Sequence, residues 1–166
     1  MTESPPRPEH PRPQLRRDSW RTLNGEWAFE IDHGASGRER GLPTADDLDR
    51  RILVPFPPES TRSGISHTDF MDAVWYRRSI TVDRSDIEGH LLLHFGAVDY
   101  ETEVWVNGES VGTHRGGYTP FTLDITEAVE LGENVITVCA ADDVRAGRQP
   151  AGKQSTEYES HHVHYT

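Results

Sequence analysis

The chain has 166 residues, 34% of them hydrophobic and 27% charged, with a formal net charge of −11 at pH 7. That length fits one domain with a core large enough to fold without disulfides. The acidity disfavours nucleic acid and anionic membrane as partners and suits a neutral ligand, although an acidic surface also serves solubility alone. Cys139 is the only cysteine; set in an apolar run, it reads as small core filler rather than a reactive thiol.

Residues 1–13 hold five of the eleven prolines and hardly an apolar side chain, so residues 1–14 read as an extended, mobile tail and residues 15–166 as the folded domain. The tail has no apolar run of the kind a signal peptide or anchor needs, and the cytoplasm is the expected compartment. Leu23-Asn24-Gly25 makes a turn into a strand over 27–32, in which Trp27, Phe29 and Ile31 share a face expected to be core rather than a sugar platform. Residues 33–49 are rich in glycine and charge and read as a surface loop, with a helical turn at 44–48 that Thr44 can cap. A short strand at 52–54 is ended by Pro55 and the Pro57-Pro58 pair.

Residues 59–73 form a long polar loop, a kind of segment more often functional than idle in a compact β domain. Over 74–82, Val74, Tyr76, Ile80 and Val82 alternate with Trp75, Arg77, Ser79 and Thr81, and Arg78 breaks the pattern. Leu91, Leu93 and Phe95 mark the next strand. Thr102, Val104 and Val106 then oppose Glu101, Glu103 and Trp105, and Asn107-Gly108 predicts a type I′ hairpin turn into a return strand at 109–112. After Gly116-Gly117, Phe121, Leu123 and Ile125 alternate with polar residues, and 134–141 is the last clear strand. With no long amphipathic helix, the pattern predicts an all-β antiparallel sandwich. Trp75 and Trp105 face away from the main apolar stripe; they either stack on a pyranose ring or, as expected, are covered by a loop or a neighbouring domain.

Residues 142–166 carry Pro150 and two glycines after a core strand and read as a long surface excursion. Lys153 can donate to a sugar hydroxyl or a carboxylate, and Gln154 can donate and accept; a solvated loop is the plain alternative. His161, His162 and His164 lack the further fixed ligand that a zinc site needs, so no metal is expected.

Four motifs occur in a fixed order: Leu23-Asn24-Gly25-Glu26-Trp27; Val54-Pro55 followed by Trp75-Tyr76-Arg77-Arg78; the Asn107-Gly108 hairpin with Tyr118-Thr119-Pro120-Phe121; and Gly152-Lys153-Gln154. Together they resemble the N-terminal sugar-binding domain of glycoside hydrolase family 2, the β-galactosidase and β-glucuronidase family, from about Leu15 onward. The resemblance implies a jelly-roll-like sandwich of the galactose-binding-domain type, here without its closing strand, which in the family follows the position of Thr166. It also implies a carbohydrate-binding and scaffold role in O-glycosyl bond hydrolysis that is not catalytic by itself, because the family's catalytic glutamates lie in a downstream (β/α)8 barrel. No cofactor or metal is implied. The implied partners are a β-galactoside or β-glucuronide type carbohydrate and the barrel.

Lys153 and Gln154 match the family's excursion at the barrel mouth, and Asp69, with His67, lies in the loop that reaches toward the active site. Where well-known branches place a sugar-binding Asp, this chain has His162-Val163-His164. His162 and His164 can hydrogen-bond a sugar, or pair with an acidic one below a pKa of about 6.5. A free-standing lectin-like module and a purely structural interaction domain are the alternatives.

Overall fold

Among the described residues, alternating side chains on short segments bounded by glycine and proline produce eight strands: β1 Gly25–Asp32, β2 Arg50–Val54, β3 Ala73–Val82, β4 Leu92–Phe95, β5 Glu101–Val106, β6 Glu109–Arg115, β7 Phe121–Asp124 and β8 Gly132–Ala141. The computed structural model describes residues 4–147 together with Gln149 and Gln154. All pairings are antiparallel; six strands form one sheet in the order β2-β1-β3-β8-β5-β6, and β4 pairs with β7 in a second. The expected β-sandwich is therefore present, and the described residues form no helix long and apolar enough to cross a membrane. The expectation about a closing strand concerns positions outside the described residues.

The inner face of the large sheet packs against β4 and β7. Trp27, Phe29, Ile52, Val104, Val106, Ile136 and Val138 meet Leu93 and Ile125 there, and Tyr76 meets Phe29 edge to face at 5.1 Å between ring centroids. Arg78, the break in the β3 pattern, stays on this face. Its guanidinium lies 5.8 Å from the Trp27 ring centroid, and Nη1 donates to the carbonyls of Leu23 (2.6 Å) and Asn24 (3.2 Å). The charge is carried by two backbone acceptors and an aromatic face, an arrangement open to a planar guanidinium.

The outer face is covered as well. Trp75 and Trp105, 1% and 6% exposed, stack at 5.3 Å within a second cluster formed with Ala28, Leu42, Leu48, Ala73 and Cys139. Burial excludes both as sugar platforms. Their cover is the 33–49 segment, which is thus a lid on a second core rather than a plain surface loop. No helical turn forms at 44–48: a 3-10 turn spans Leu42–Thr44, and Thr44 Oγ1 donates back to Gly41 O at 3.2 Å instead of capping. Asp32 ties the lid down, accepting from the backbone N–H of Ser36 (3.1 Å) and Gly37 (2.7 Å) and from Trp75 Nε1 (3.1 Å). Gly37 fits because it has no side chain; a Cβ there would lie 2.4 Å from Trp75 Nε1.

The predicted hairpin turn is present, with φ of 52° at Asn107 and 84° at Gly108, as type I′ requires. β6 runs on to Arg115, beyond the expected 109–112, and its register against β5 shifts at Val104/Trp105. The Asn107 carboxamide also crosses to β8, accepting from Val135 N (2.9 Å) and donating to Asn134 Oδ1 (2.8 Å). At the other end of the chain, Asn24 Nδ2 donates to the carbonyls of Pro6 and Arg7 in the proline-rich tail.

Two outcomes are expected from this packing. Trp75→Ala empties the centre of the second core and should lower stability by about 3–5 kcal/mol in equilibrium urea denaturation; a loss under half of that would mean the lid does not depend on the stacked pair. Burial pushes the Cys139 thiol up to about 12, and the thiolate is the reactive form. Iodoacetamide at mildly alkaline pH should therefore leave native Cys139 unmodified and alkylate it fully once urea is added.

Candidate functional site

The register brings separate loops to one end of the large sheet. Ala73, at the start of β3, and Glu101, at the start of β5, both lie opposite Ala141, at the end of β8. The residues just outside these strands must therefore meet. Tyr100 N donates to Ala141 O (3.2 Å), Asp142 N to Asp72 O (3.1 Å), and Gly116 N to Tyr100 O (2.9 Å). The Asp99-Tyr100 peptide in this corner is cis.

Side chains complete the corner. Gln154 Nε2 donates to Asp142 Oδ2 and lies 3.4 Å from Asp99 Oδ2, while Gln149 Nε2 donates to Asp142 Oδ1. Gln154 Oε1 is buried with no partner among the described residues. Burial, and then the neighbouring Asp142 charge, hold the Asp99 carboxyl above its ordinary range. Gly117 closes against Asp99, since a Cβ there would lie 2.3 Å from its Cγ. Next to it Tyr118 stands 71% exposed. On the other side, the Arg145 guanidinium lies 4.5 Å from the Phe70 ring centroid, with Nη2 3.9 Å from Asp72 Oδ1.

Of the residues expected to contact sugar, Gln154 stands in this corner. Asp69 is exposed and uses Oδ1 to accept from Phe70 N at 2.8 Å; its loop joins the corner through Phe70 and Asp72. His67 approaches His33, with ring centroids 5.9 Å apart. Lys153, His162 and His164 lie outside the described residues. Sequence reasoning missed Asp99 and Asp142, because one acidic residue beside a strand end carries no signal until pairing brings two together. The corner offers carboxylate acceptors, carboxamide groups and an exposed phenol ring, a donor and acceptor set suited to hydroxyl-rich ligands. Among the described residues, no group of three or more His, Cys, Asp or Glu is placed to hold a metal ion.

Fold and corner together define a β-sandwich domain whose loops converge on a polar corner at one end of the large sheet. Residues 65–145 match the family described as glycosyl hydrolases family 2, sugar binding domain, and the chain accordingly belongs to that family. A β-glucuronidase of Paenibacillus borealis is 30% identical over 151 residues, which is 88% of this chain and 25% of that protein. A β-galactosidase of Thermoanaerobacter pseudethanolicus is 44% identical over 72 residues, 42% of this chain and 10% of that protein. The solved structure of Lactobacillus rhamnosus β-glucuronidase superposes with a TM-score of 0.67 at 30% identity, covering 74% of this chain and 21% of that one. The chain thus spans about a quarter or less of the length of these relatives.

The fit between Gly117 and Asp99 is open to a double-mutant cycle. Gly117→Ala should cost about 1–3 kcal/mol by overpacking, and most of that cost should vanish in an Asp99→Ala background. A coupling near zero, against the expected range of about 0.5–3 kcal/mol, would show that the two residues do not constrain each other.

Proposed function

We propose that this chain acts as the N-terminal substrate-side domain of a longer glycosidase, buttressing a catalytic barrel and lending it residues of the segment after β8. The carrying observation is the seating of Gln154 against Asp99 and Asp142 at the sheet's end, which brings the chain next to Lys153 into the corner where three loops meet. The proposed sugar is a β-glucuronide. A lysine and nearby histidines suit a uronic acid carboxylate, which an ammonium and protonated imidazoles can pair with. The β-glucuronidase match over most of the chain supports the same choice. Glycoside hydrolysis by two carboxyl groups requires them on either side of the scissile bond; Asp99 and Asp142 instead share one carboxamide, an arrangement that serves positioning.

Two measurements test this. The purified chain should not turn over an aryl β-glucuronide or an aryl β-galactoside, and turnover would overturn the non-catalytic reading. In titrations followed by amide chemical shifts, glucuronate should give larger saturable changes than galactose, and Lys153→Ala should abolish them. Flat titrations would overturn the contribution of this loop, and a stronger response to galactose would overturn the choice of sugar.

A further inference from the structure

Asn-Gly occurs twice in the chain, at Asn24-Gly25 and Asn107-Gly108. It is the dipeptide at which a backbone most readily attacks its own side chain, because glycine leaves its nitrogen unhindered. The glycine nitrogen loses its proton and bonds to the asparagine Cγ; the Cγ–Nδ2 bond breaks and ammonia leaves, giving a cyclic imide. Water then opens the imide at either carbonyl, to aspartate or to isoaspartate, whose backbone runs through the former side chain. The first step needs a carboxamide free to turn toward the next residue.

At Asn107 the whole carboxamide is engaged. Oδ1 accepts from Val135 N (2.9 Å), and Nδ2 donates to Asn134 Oδ1 (2.8 Å) and Ala128 O (3.1 Å). Asn134 is 0% exposed, and its own carboxamide is fixed by Glu130 N (2.7 Å), Glu130 O (2.7 Å) and Gly132 O (3.1 Å). Asn107 N donates to Val135 O at 2.9 Å, and Thr44 Cγ2 lies 2.8 Å from where a Cβ on Gly108 would stand. To react, this turn must leave β8.

At Asn24 the brace is the tail alone. Nδ2 donates to Pro6 O (3.2 Å) and Arg7 O (3.0 Å), and among the described residues none donates to Oδ1. Arg78 holds the Asn24 carbonyl, not its carboxamide. Gly25 begins β1 opposite Val54, the last residue of the edge strand β2, and the pairing of β1 with β3 starts only at Ala28. The reacting nitrogen thus sits at a terminal pair, where strands open at least cost.

We propose that Asn24-Gly25 is a site of spontaneous deamidation whose reaction frees the proline-rich tail, while the same dipeptide at Asn107-Gly108 is silenced by its docking on β8. The product at position 24 has no N–H to give. Its ionised carboxylate faces the Pro6 and Arg7 carbonyls, acceptor against acceptor. His10 rests on Trp20 independently, with 4.7 Å between ring centroids, so the tail loosens from its outer end. Deamidation is slow against the opening of a turn, and each rate therefore follows the population of its opened state.

The whole chain is incubated at mildly alkaline pH with and without urea, and mass spectrometry resolves the peptides containing residues 24 and 107 into asparagine, aspartate and isoaspartate forms. In denaturing urea the two rates should be alike. In native buffer Asn24 should react roughly tenfold or more faster than Asn107, a ratio equal to about 1.4 kcal/mol of difference in opening. Equal native rates, or a faster Asn107, would overturn the assignment. Asn134→Ala withdraws the buried acceptor and should speed Asn107 alone; if that variant does not fold, urea below the unfolding transition should raise the Asn107 rate of the native chain. A rate at Asn107 that responds to neither overturns the silencing. For the tail, backbone order parameters of Arg7 and Glu9 from NMR relaxation should fall in Asn24→Asp, and unchanged values overturn its dependence on this carboxamide. No sugar enters these measurements, so their outcome is separate from that of the glucuronate titration.

Discussion

One buried carboxylate, that of Asp32, decides what the outer face of the large sheet becomes. It accepts from two backbone N–H groups of the lid and from the indole of Trp75, and Arg40 Nη2 lies 3.2 Å from it. Burial alone would raise such a carboxyl. The bonds from Gly37, Trp75 and Ser36, with the Arg40 charge, outweigh it and hold Asp32 below its ordinary range. A carboxylate taking several donors is among the few ways to keep a charge inside a protein at low cost. Its consequence is spatial: the chain after β1 must fold back over the sheet. Leu42 and Leu48 then land on the tryptophans, and Arg38 closes the far edge by pairing with Glu103 and resting over the Trp105 ring.

This second core explains both what the sequence disclosed and what it concealed. Strands whose two faces differ in polarity announce themselves by alternation, as β1, β5 and β7 do, and Asn107-Gly108 specifies its turn because both positions need positive φ. The outward tryptophans were readable as residues awaiting a cover. The cover itself was not, because Leu42, Ala45 and Leu48 follow no helical or strand period; an irregular loop places its apolar residues wherever the hole requires them. Arg78 was a broken pattern without a cause until Leu23, Asn24 and Trp27 surrounded it. Asn134, fully buried, was unreadable for a related reason. Its partners at Glu130, Gly132 and Asn107 depend on how the hairpin docks beside β8, which no local propensity encodes.

The candidate site has the same logic at larger range. Antiparallel pairing of β3, β8 and β5 aligns the start of one strand with the end of the next, so residues 72, 99 and 142 share a corner although tens of positions separate them in sequence. Motif matching could point to Gln154, because its signal is local. It could not point to Asp99 or Asp142, whose meaning arises only from their juxtaposition.

That juxtaposition also bears on what kind of partner the domain serves. A domain that bound sugar with rigid, self-sufficient groups would have its polar side chains satisfied and aimed outward. Here two carboxylates are turned on the chain's own carboxamides, and the buried Gln154 carboxamide oxygen has no donor among the described residues. Such a corner is organised to hold a segment in place, and a positioned segment has value when it is offered to another surface. The exposed ring of Tyr118 beside it, and the loop of Asp69 joined through Phe70 and Arg145, extend the same edge outward. The acids of this corner thus hold Gln149 and Gln154, the carboxamides on which the glycosidase reading proposed above draws.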